Sequence, residues 1–473
     1  MGRKKTEIKR TLLKTASVVM AAVMFLCACS SDSGNVGEVP EQTLATDVDD
    51  ADETVRPASN VWIDSGREPA GSATIDELIN ANEEIILNSR SHFTAGISCD
   101  DEPMLELSSF LSQVNASPVY DDTRFEYFAD GEEAFQSMLE SLRSAEDYIF
   151  MEYFIINSGS VWDDFHEILK KKASEGVEVR ILVDGWAVQW FLPHDFLDTM
   201  EAEGIRTYVT APLTRGSDIL SLMRDHRKIL VVDGKCAYTG GVNLSDEYAN
   251  RITKFGHWKD NAIRLEGECV KSFVLMFLQM WELFGEETDY DRYLSCCERL
   301  DPGNDLCIPY CDTPLDDQLS GREVYMNMLR NSEKQVFITV PYFTPDDEFL
   351  DLMISTAERG VHITLILPGI PDRAVVLLAA RSYYRRLVAA GIDVYEYSPG
   401  FIHQKVCVCD GCRCSVGSVN LDNRSLNGQY ECGVYMYSED LAECILSDIE
   451  DVISVSTQMT DEVMDEMGIN SVR

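Results

Sequence analysis

Positive charge is what this chain of 473 residues has least of: 40 Lys and Arg stand against 81 Asp and Glu, a formal balance of −41. Nucleic acid is bound by neutralising its phosphates with Lys and Arg, so this balance argues against a nuclease and against any nucleic-acid partner. It also opposes an anionic membrane surface unless cations intervene. Long apolar runs are missing as well. The run from Ala16 to Ala28 is shorter than the ~20 residues a spanning helix needs. No strong metal-ligand motif stands out, which leaves no call for a metal or other cofactor. Apolar residues are not scarce: at 45% they suffice for a sizeable core. The length is comfortable for two domains.

The N-terminus reads as a targeting segment. Arg3, Lys4, Lys5, Lys9, Arg10 and Lys14 form a basic region ahead of the apolar run. The run closes on Leu26-Cys27-Ala28-Cys29-Ser30, which resembles a bacterial lipobox with Cys29 as the lipidated residue, although Cys27 is not usual there. An uncleaved signal anchor is the alternative. Residues 30–70 carry Asp32, Glu38, Glu41, Asp47, Asp49, Asp50, Asp52 and Glu53 before the first base, Arg56. Such a stretch buries too little to fold, and its like charges keep it extended. The expectation is a signal peptide and lipobox over 1–29, an acidic disordered tether over 30–70 and an N-terminal extension over 71–129. The protein would then be held by lipid at the extracytoplasmic face of the cell membrane.

The remainder is a repeat. Asp225-His226-Arg227-Lys228 leads to Asp233-Gly234, Gly240-Gly241 and Asn243; Ile402-His403-Gln404-Lys405 leads to Asp410-Gly411, Gly417-Ser418 and Asn420. In both, Lys follows His by two, Asp by seven, Gly by fourteen and Asn by seventeen. One His-x-Lys on a strand would mean little; the same five-point spacing twice is specific. Upstream, Tyr148–Ile156 parallels Val336–Thr344, and Gly176–Gly185 parallels Gly360–Gly369. These Val- and Ile-rich runs read as buried strands. Helical patterns lie between them at Ala134–Ala145, Trp162–Glu175, Phe349–Arg359 and Ala374–Ala390. The alternation predicts an α/β fold in which helices cover a largely parallel sheet. Two such units, 130–285 and 320–455, would pack as a pseudo-dimer around one shared site, joined by an irregular connector over 286–319 and followed by a tail over 456–473.

Strand periodicity turns spacing into geometry. His226 and Lys228 share a face, as do His403 and Lys405, while Asp233 and Asp410 have the opposite parity and look structural. Asp-Gly predicts a two-residue hairpin turn. The returning strand brings Gly240-Gly241 and Gly417-Ser418 beside the histidines, small enough to leave room for a ligand, with Asn243 and Asn420 just beyond. Two Lys and two amides suit the non-bridging oxygens of a phosphodiester. One neutral imidazole can attack phosphorus, and the other can protonate the leaving alkoxide and then deprotonate the incoming hydroxyl. A purely structural pair of histidines is disfavoured, because unpaired buried ammonium groups beside them are costly.

The paired motifs resemble the phospholipase D superfamily, whose signature is His-x-Lys-x4-Asp. Asp225–Tyr248, Trp258-Lys259-Asp260, Pro341-Tyr342-Phe343, Arg381–Lys405 and Asn420–Ser425 are similar to bacterial cardiolipin synthases in particular. The resemblance implies a catalytic set of His226, Lys228, Asp233, His403, Lys405 and Asp410. It makes His226 the nucleophile and His403 the acid and base, with Asp260 and Glu431 orienting the imidazoles; the repeat by itself does not break that symmetry. It also implies a phospholipid substrate, phosphatidylglycerol, met at a membrane surface. The chain departs from the family in beginning with one leader instead of two spanning helices. It also has Leu222 where a polar Asn is common, and Asn427-Gly428-Gln429-Tyr430 ahead of Glu431.

Three functions follow: a cardiolipin synthase-like phosphatidyltransferase, a secreted phospholipase D giving phosphatidic acid, and an inactive lipid-binding surface lipoprotein. Intact motifs oppose the third. The first two differ in what surrounds the site. Trp186–Leu192 and Ala374–Ala390, at strand ends, offer apolar material that could hold a second lipid; at helical spacing the second is equally well read as core. Fifteen cysteines are many for an exported protein. Across a two-residue turn Cys409 would face Cys412 and Cys407 would face Cys414. Disulfides and free thiols both stay open, and a metal is least favoured at Cys-x-Cys spacing. Labelled palmitate supplied to growing cells should mark the protein, and Cys29→Ala should abolish the label; a label that survives the substitution refutes the anchor.

Overall fold

The computed structural model describes residues 75–92, 101–114, 117–211 and 223–469. Cys29, the tether and Leu222 lie outside the described residues.

The strands are β1 (Arg124–Phe128), β2 (Tyr148–Tyr153), β3 (Glu178–Asp184), β4 (Arg206–Thr210), β5 (Lys228–Val232), β6 (Cys236–Gly240), β7 (His257–Lys259) and β8 (Ala262–Glu266) in the first repeat. They continue as β9 (Leu306–Asp312), β10 (Gln335–Thr339), β11 (Phe343–Thr344), β12 (His362–Pro368), β13 (Asp393–Tyr397), β14 (Gly400–Ile402), β15 (Val406–Cys409), β16 (Arg413–Gly417), β17 (Leu421–Asp422), β18 (Glu431–Tyr437) and β19 (Ser456–Gln458). One sheet runs β1-β8-β6-β5-β2-β3-β4 and the other β19-β13-β12-β10-β15-β16-β18-β9. The pseudo-twofold is visible in the order: β5, β2, β3 and β4 correspond to β15, β10, β12 and β13. This is the expected α/β pair of repeats.

The sheets are not largely parallel, as expected, but mixed. Within the two large sheets only β2-β3-β4 and β10-β12-β13 pair in parallel. The motif strands β5 and β15 and those beyond them run antiparallel. A tight turn after each motif permits no other sense, since parallel neighbours need a long crossover. The connector is also more regular than expected: it supplies β9, an antiparallel neighbour of β18, and the helix Tyr290–Leu294.

Each motif turn has left-handed backbone at both residues, with φ of 53° and 64° at Asp233-Gly234 and 53° and 71° at Asp410-Gly411. Lys235 N donates to Val232 O (2.9 Å) and Cys412 N to Cys409 O (3.1 Å). Yet the ladder resumes one residue later than a two-residue turn would have it, pairing Val232 with Cys236 and Cys409 with Arg413. That extra residue overturns the expected cysteine pairs. Cys407 lies opposite Ser415 and Cys414 opposite Val408, and none of the twelve described cysteines is in a disulfide. Cys407 and Cys409 approach each other instead, along one face of β15, with sulfurs 3.9 Å apart.

Asp233 and Asp410 do not reach the catalytic centre, which corrects their place in the catalytic set. They sit at the far ends of the motif strands and accept from backbone. Asp233 takes N–H groups of Glu146, Asp147 and Tyr148 (2.8–2.9 Å); Asp410 takes those of Glu333, Lys334 and Gln335 (2.8–3.0 Å). Each carboxylate thus pins the start of the central strand, β2 or β10, beside its motif strand.

The two repeats share one core. The helix Val270–Phe284, apolar nearly all round, packs in a single cluster with Ile229, Val231 and Ile263 of the first sheet and Val408, Val416 and Val434 of the second. A helix hydrophobic on every side is one buried on every side. Its counterpart Glu439–Ser454 reaches across to the first repeat, where Asp448 accepts from Tyr127 Oη (3.2 Å), pairs with Lys259 and takes Gln404 Nε2 (2.6 Å). Outer helices cover the far faces, each with its own cluster.

Asp233→Ala or Asp410→Ala should strip acceptors from three backbone donors. Each unmade bond costs about 1–3 kcal/mol, so thermal or urea unfolding should shift clearly downward. Single-turnover rates of the folded fraction should stay within a few-fold of native, and a total loss of chemistry with unchanged stability would return these residues to the catalytic set.

Candidate active site

Two short backbone links across the repeats build the site. β7 runs parallel to β14, and His403 N donates to Lys259 O (2.7 Å). On the other side Asp225 bridges Tyr430, and His226 N donates to Tyr430 O (2.9 Å). The residue after each acceptor is a carboxylate. Asp260 of the first repeat meets Nδ1 of His403 at 2.7 Å, and Glu431 of the second meets Nδ1 of His226 at 2.9 Å. Each imidazole therefore belongs to one repeat and its orienting carboxylate to the other. With Nδ1–H held, Nε2 of each ring is the atom left for chemistry.

Both lysines follow their strands into the same space. Lys228 Nζ donates to His226 O and Lys405 Nζ to His403 O (2.5 Å each), and Lys405 Nζ lies 3.0 and 3.1 Å from the two ring nitrogens of His403. All six groups are buried, which sets their charge. Burial, opposed by Asp260 and reinforced by Lys228, brings Lys405 down to about 7. Burial brings Lys228 to about 8 against the pull of Glu431. Burial and then Lys405 lower His403 to about 3; burial, Lys228, Lys405 and Arg424 lower His226. The site thus holds neutral imidazoles and weakly held ammonium protons, an arrangement that anionic phosphate would complete.

The carboxylates differ. Burial raises Glu431 to about 7 against Lys228, and it accepts from Ser418 Oγ and Ser425 Oγ (2.5 Å each) besides His226. Burial raises Asp260 too, but His403, Lys405 and Asn261 N–H outweigh it and hold it below the usual carboxylate range. The surroundings differ as well. Tyr248, Trp258 and Phe401 stand 5.3–5.8 Å from the His403 ring, while Phe154 lies 5.1 Å from His226.

The amides and small residues are placed otherwise than expected. Asn243 Oδ1 accepts from Ile155 N (3.1 Å) and its Nδ2 donates to Tyr248 Oη (2.7 Å), so it braces the fold. Asn420 leaves a buried Oδ1 without a partner. A Cβ at Gly241 would fall 1.9 Å from Asp260 Oδ1 and 3.0 Å from His403 O: the small residue makes room for the carboxylate, not for a ligand. Ser418, its counterpart, bonds Glu431. Ser425, Tyr248 and Trp258 lie inside stretches similar to the family, but no spacing rule distinguishes them from their neighbours; the repeat spacing does place Ser418 beside the histidines, though as room for a ligand and not as a donor to Glu431.

Capture of an anionic phosphodiester needs the ammonium forms. kcat/KM should fall as pH rises through about 7 to about 8, where Lys405 and Lys228 of the free enzyme lose their protons. Lys405→Arg, which keeps its charge, should move that limb upward if it retains activity. A native profile flat across that range would contradict the placement of these cations.

A family profile described as cardiolipin synthase, PLD-like domain, matches residues 138–281 and 325–453. An uncharacterized protein of Streptococcus mutans is 40% identical over 77% of this chain and 79% of its own length. Cardiolipin synthases of Alkalihalophilus pseudofirmus and Halalkalibacterium halodurans are 31% and 32% identical over 71% and 70% of this chain, which spans 67% and 66% of their lengths. Among solved structures, a phosphatidylserine synthase of Haemophilus influenzae superposes with a TM-score of 0.56 over 71% of this chain and 87% of its own; at 13% identity the likeness is one of fold. The chain belongs to the phospholipase D superfamily, within its cardiolipin synthase, PLD-like family of phosphatidyltransferases.

Proposed function

We propose that this chain moves a phosphatidyl group from one phosphatidylglycerol to the glycerol hydroxyl of a second, forming cardiolipin and releasing glycerol. The observation that carries the reading is the crossed pairing of His226 with Glu431 and His403 with Asp260. His226 Nε2 attacks phosphorus, the bond from phosphorus to the leaving glycerol oxygen breaks, and His403, protonated once phosphate is bound, gives that oxygen its proton. Neutral His403 then takes a proton from the second lipid's hydroxyl, whose oxygen forms the new bond as the phosphorus–nitrogen bond breaks. Lys228 and Lys405 neutralise the non-bridging oxygens throughout.

The unequal carboxylates support this division. Firmly ionised Asp260 steadies an imidazolium at His403, whereas Glu431, already receiving two hydroxyls, leaves His226 neutral and nucleophilic. The rings around His403 support transfer over hydrolysis, since a phosphohistidine does not choose its acceptor and surroundings that exclude water do. No helix among the described residues is long and apolar enough to cross a membrane; we place the enzyme on the extracytoplasmic membrane face, held by lipid at Cys29.

Phosphatidylglycerol in micelles should yield cardiolipin and glycerol, and added glycerol should drive the reaction backward. Phosphatidic acid as the dominant product at every lipid concentration, unmoved by glycerol, would make the chain a hydrolase. His226→Ala and His403→Ala should each lower activity by at least ~10²–10⁴-fold; half-activity in either variant would mean two independent sites.

A further inference from the structure

The structure divides each of the two apolar segments flagged in the sequence into a buried and an exposed side. In the helix Ala374–Ala389, Leu377, Ala380, Tyr384 and Leu387 turn into the core. The opposite side shows Val375 (46% exposed) and Leu378 (64%), with Ala374 and Ala379 also exposed and no charge between Arg373 and Arg381. Ile370, 41% exposed, precedes it. In the helix Gly185–Trp190, Trp186 and Trp190 are 38% and 58% exposed, one turn apart with ring centroids separated by 6.0 Å. A lone exposed apolar side chain needs no explanation. Here four of the ten large ones among the described residues fall in these two segments and Ile370 beside them is a fifth, at equivalent points of the repeat, just beyond β3 and β12.

Both segments are bonded to the catalytic centre at their roots. The Asp184 carboxylate accepts from Trp186 N (2.7 Å) and from Asp225 N (2.8 Å), the residue before His226. Ile370 N donates to Gly400 O (3.1 Å), on the strand that leads through Phe401 to His403. The pseudo-twofold therefore sets one apolar face on each side of one site. Cations accompany them in an otherwise acidic protein: Arg373 heads the second helix with its side chain 68% exposed and Asp372 at 3.9 Å, and Arg424 lies within electrostatic reach of Asp422, Arg224, Asp184, Arg373 and His226.

We propose that these two faces form a docking rim that seats in the interface of a bilayer containing anionic phospholipid, so that substrate enters between them without crossing water. The proposal rests on the lipid substrate argued above. Trp and aliphatic side chains bring almost no hydrogen-bonding groups for a protein partner, Trp favours the depth of the headgroups, and Arg beside them answers anionic lipid. Continuity with the site gives the rim a purpose on a membrane that it would not have elsewhere.

The test uses the full chain in vesicles of phosphatidylglycerol and phosphatidylethanolamine carrying brominated acyl chains, with quenching of tryptophan emission as the readout. Native protein should be quenched; Trp186→Phe with Trp190→Phe should lose most of that quenching. Val375→Ser with Leu378→Ser should weaken it and slow turnover of vesicle substrate at least ~10-fold, and by a larger factor than turnover of monomeric short-chain phosphatidylglycerol. Equal quenching in native and Trp-substituted protein, or equal vesicle turnover with Val375 and Leu378 replaced, overturns the rim. Quenching as expected without any cardiolipin formed would keep the rim and refute the transferase.

Discussion

Everything in this molecule turns on two buried carboxylate–imidazole hydrogen bonds that neither repeat can make alone. Asp260 and Glu431 are fully buried carboxylates, and each finds its imidazole across the pseudo-twofold. Removing one partner of a buried pair leaves an uncompensated charge, which costs far more than an exposed pair contributes. The two repeats are therefore bound together at the same imidazole rings to which the proposed mechanism assigns the chemistry. The backbone repeats the device: His226 N–H and His403 N–H each donate to the carbonyl just before the other repeat's carboxylate, so ring and main chain are fixed by one crossing segment.

Arg227 extends that crossing. Its guanidinium donates to Glu431 O (3.2 Å) and Asp312 O (2.8 Å) and lies 3.7 Å from the buried Glu152. The corresponding Gln404 reaches Asp448 on the closing helix. The residue between His and Lys in each motif thus points away from the site, as strand alternation requires; Arg227 ties it to the other repeat directly, and Gln404 does so through Asp448, which pairs with Lys259. A cavity with two low-pKa lysines and two neutral imidazoles is unfavourable to build; it persists because the surrounding contacts determine it more strongly than the site opposes it.

The sequence disclosed what duplication had preserved. Spacing alone put His226 with Lys228, and His403 with Lys405, on a shared face of each motif strand, and alternation of strand and helix forecast two α/β units. Asp260 and Glu431 came only from resemblance, because they act across the twofold and no local period connects residues about 150–200 apart. The parallel sense of the sheets was misjudged for a local reason: the periodicity of a buried strand is the same in either sense, and only the short turn at Asp233-Gly234 told of antiparallel return. The register slip by Lys235 and Cys412 was below the reach of dipeptide rules, so the cysteine pairs built on a two-residue turn fell with it. Asp233 and Asp410 show the converse, since a motif position repeated in both halves serves the fold in both halves.

In the proposed mechanism, divergence between the repeats is what separates the roles of the two histidines. Five residues beyond each motif Asn, the first repeat has Tyr248 and the second Ser425. Tyr248, fixed by Asn243, stands edge-on to His403 at 5.3 Å; Ser425 donates to Glu431 and so acts on His226. The same register position thus serves, in each case, the histidine of the opposite half. One substitution lines the acid–base histidine with an aromatic wall, and the other draws electron density from the carboxylate behind the nucleophile. A symmetric ancestor would hold two equivalent imidazoles and no preference for which attacks first. Breaking that equivalence at positions outside the motif, while the His-x-Lys pairs stay identical, is what would let one site run the two unlike half-reactions of the proposed mechanism with the same four side chains.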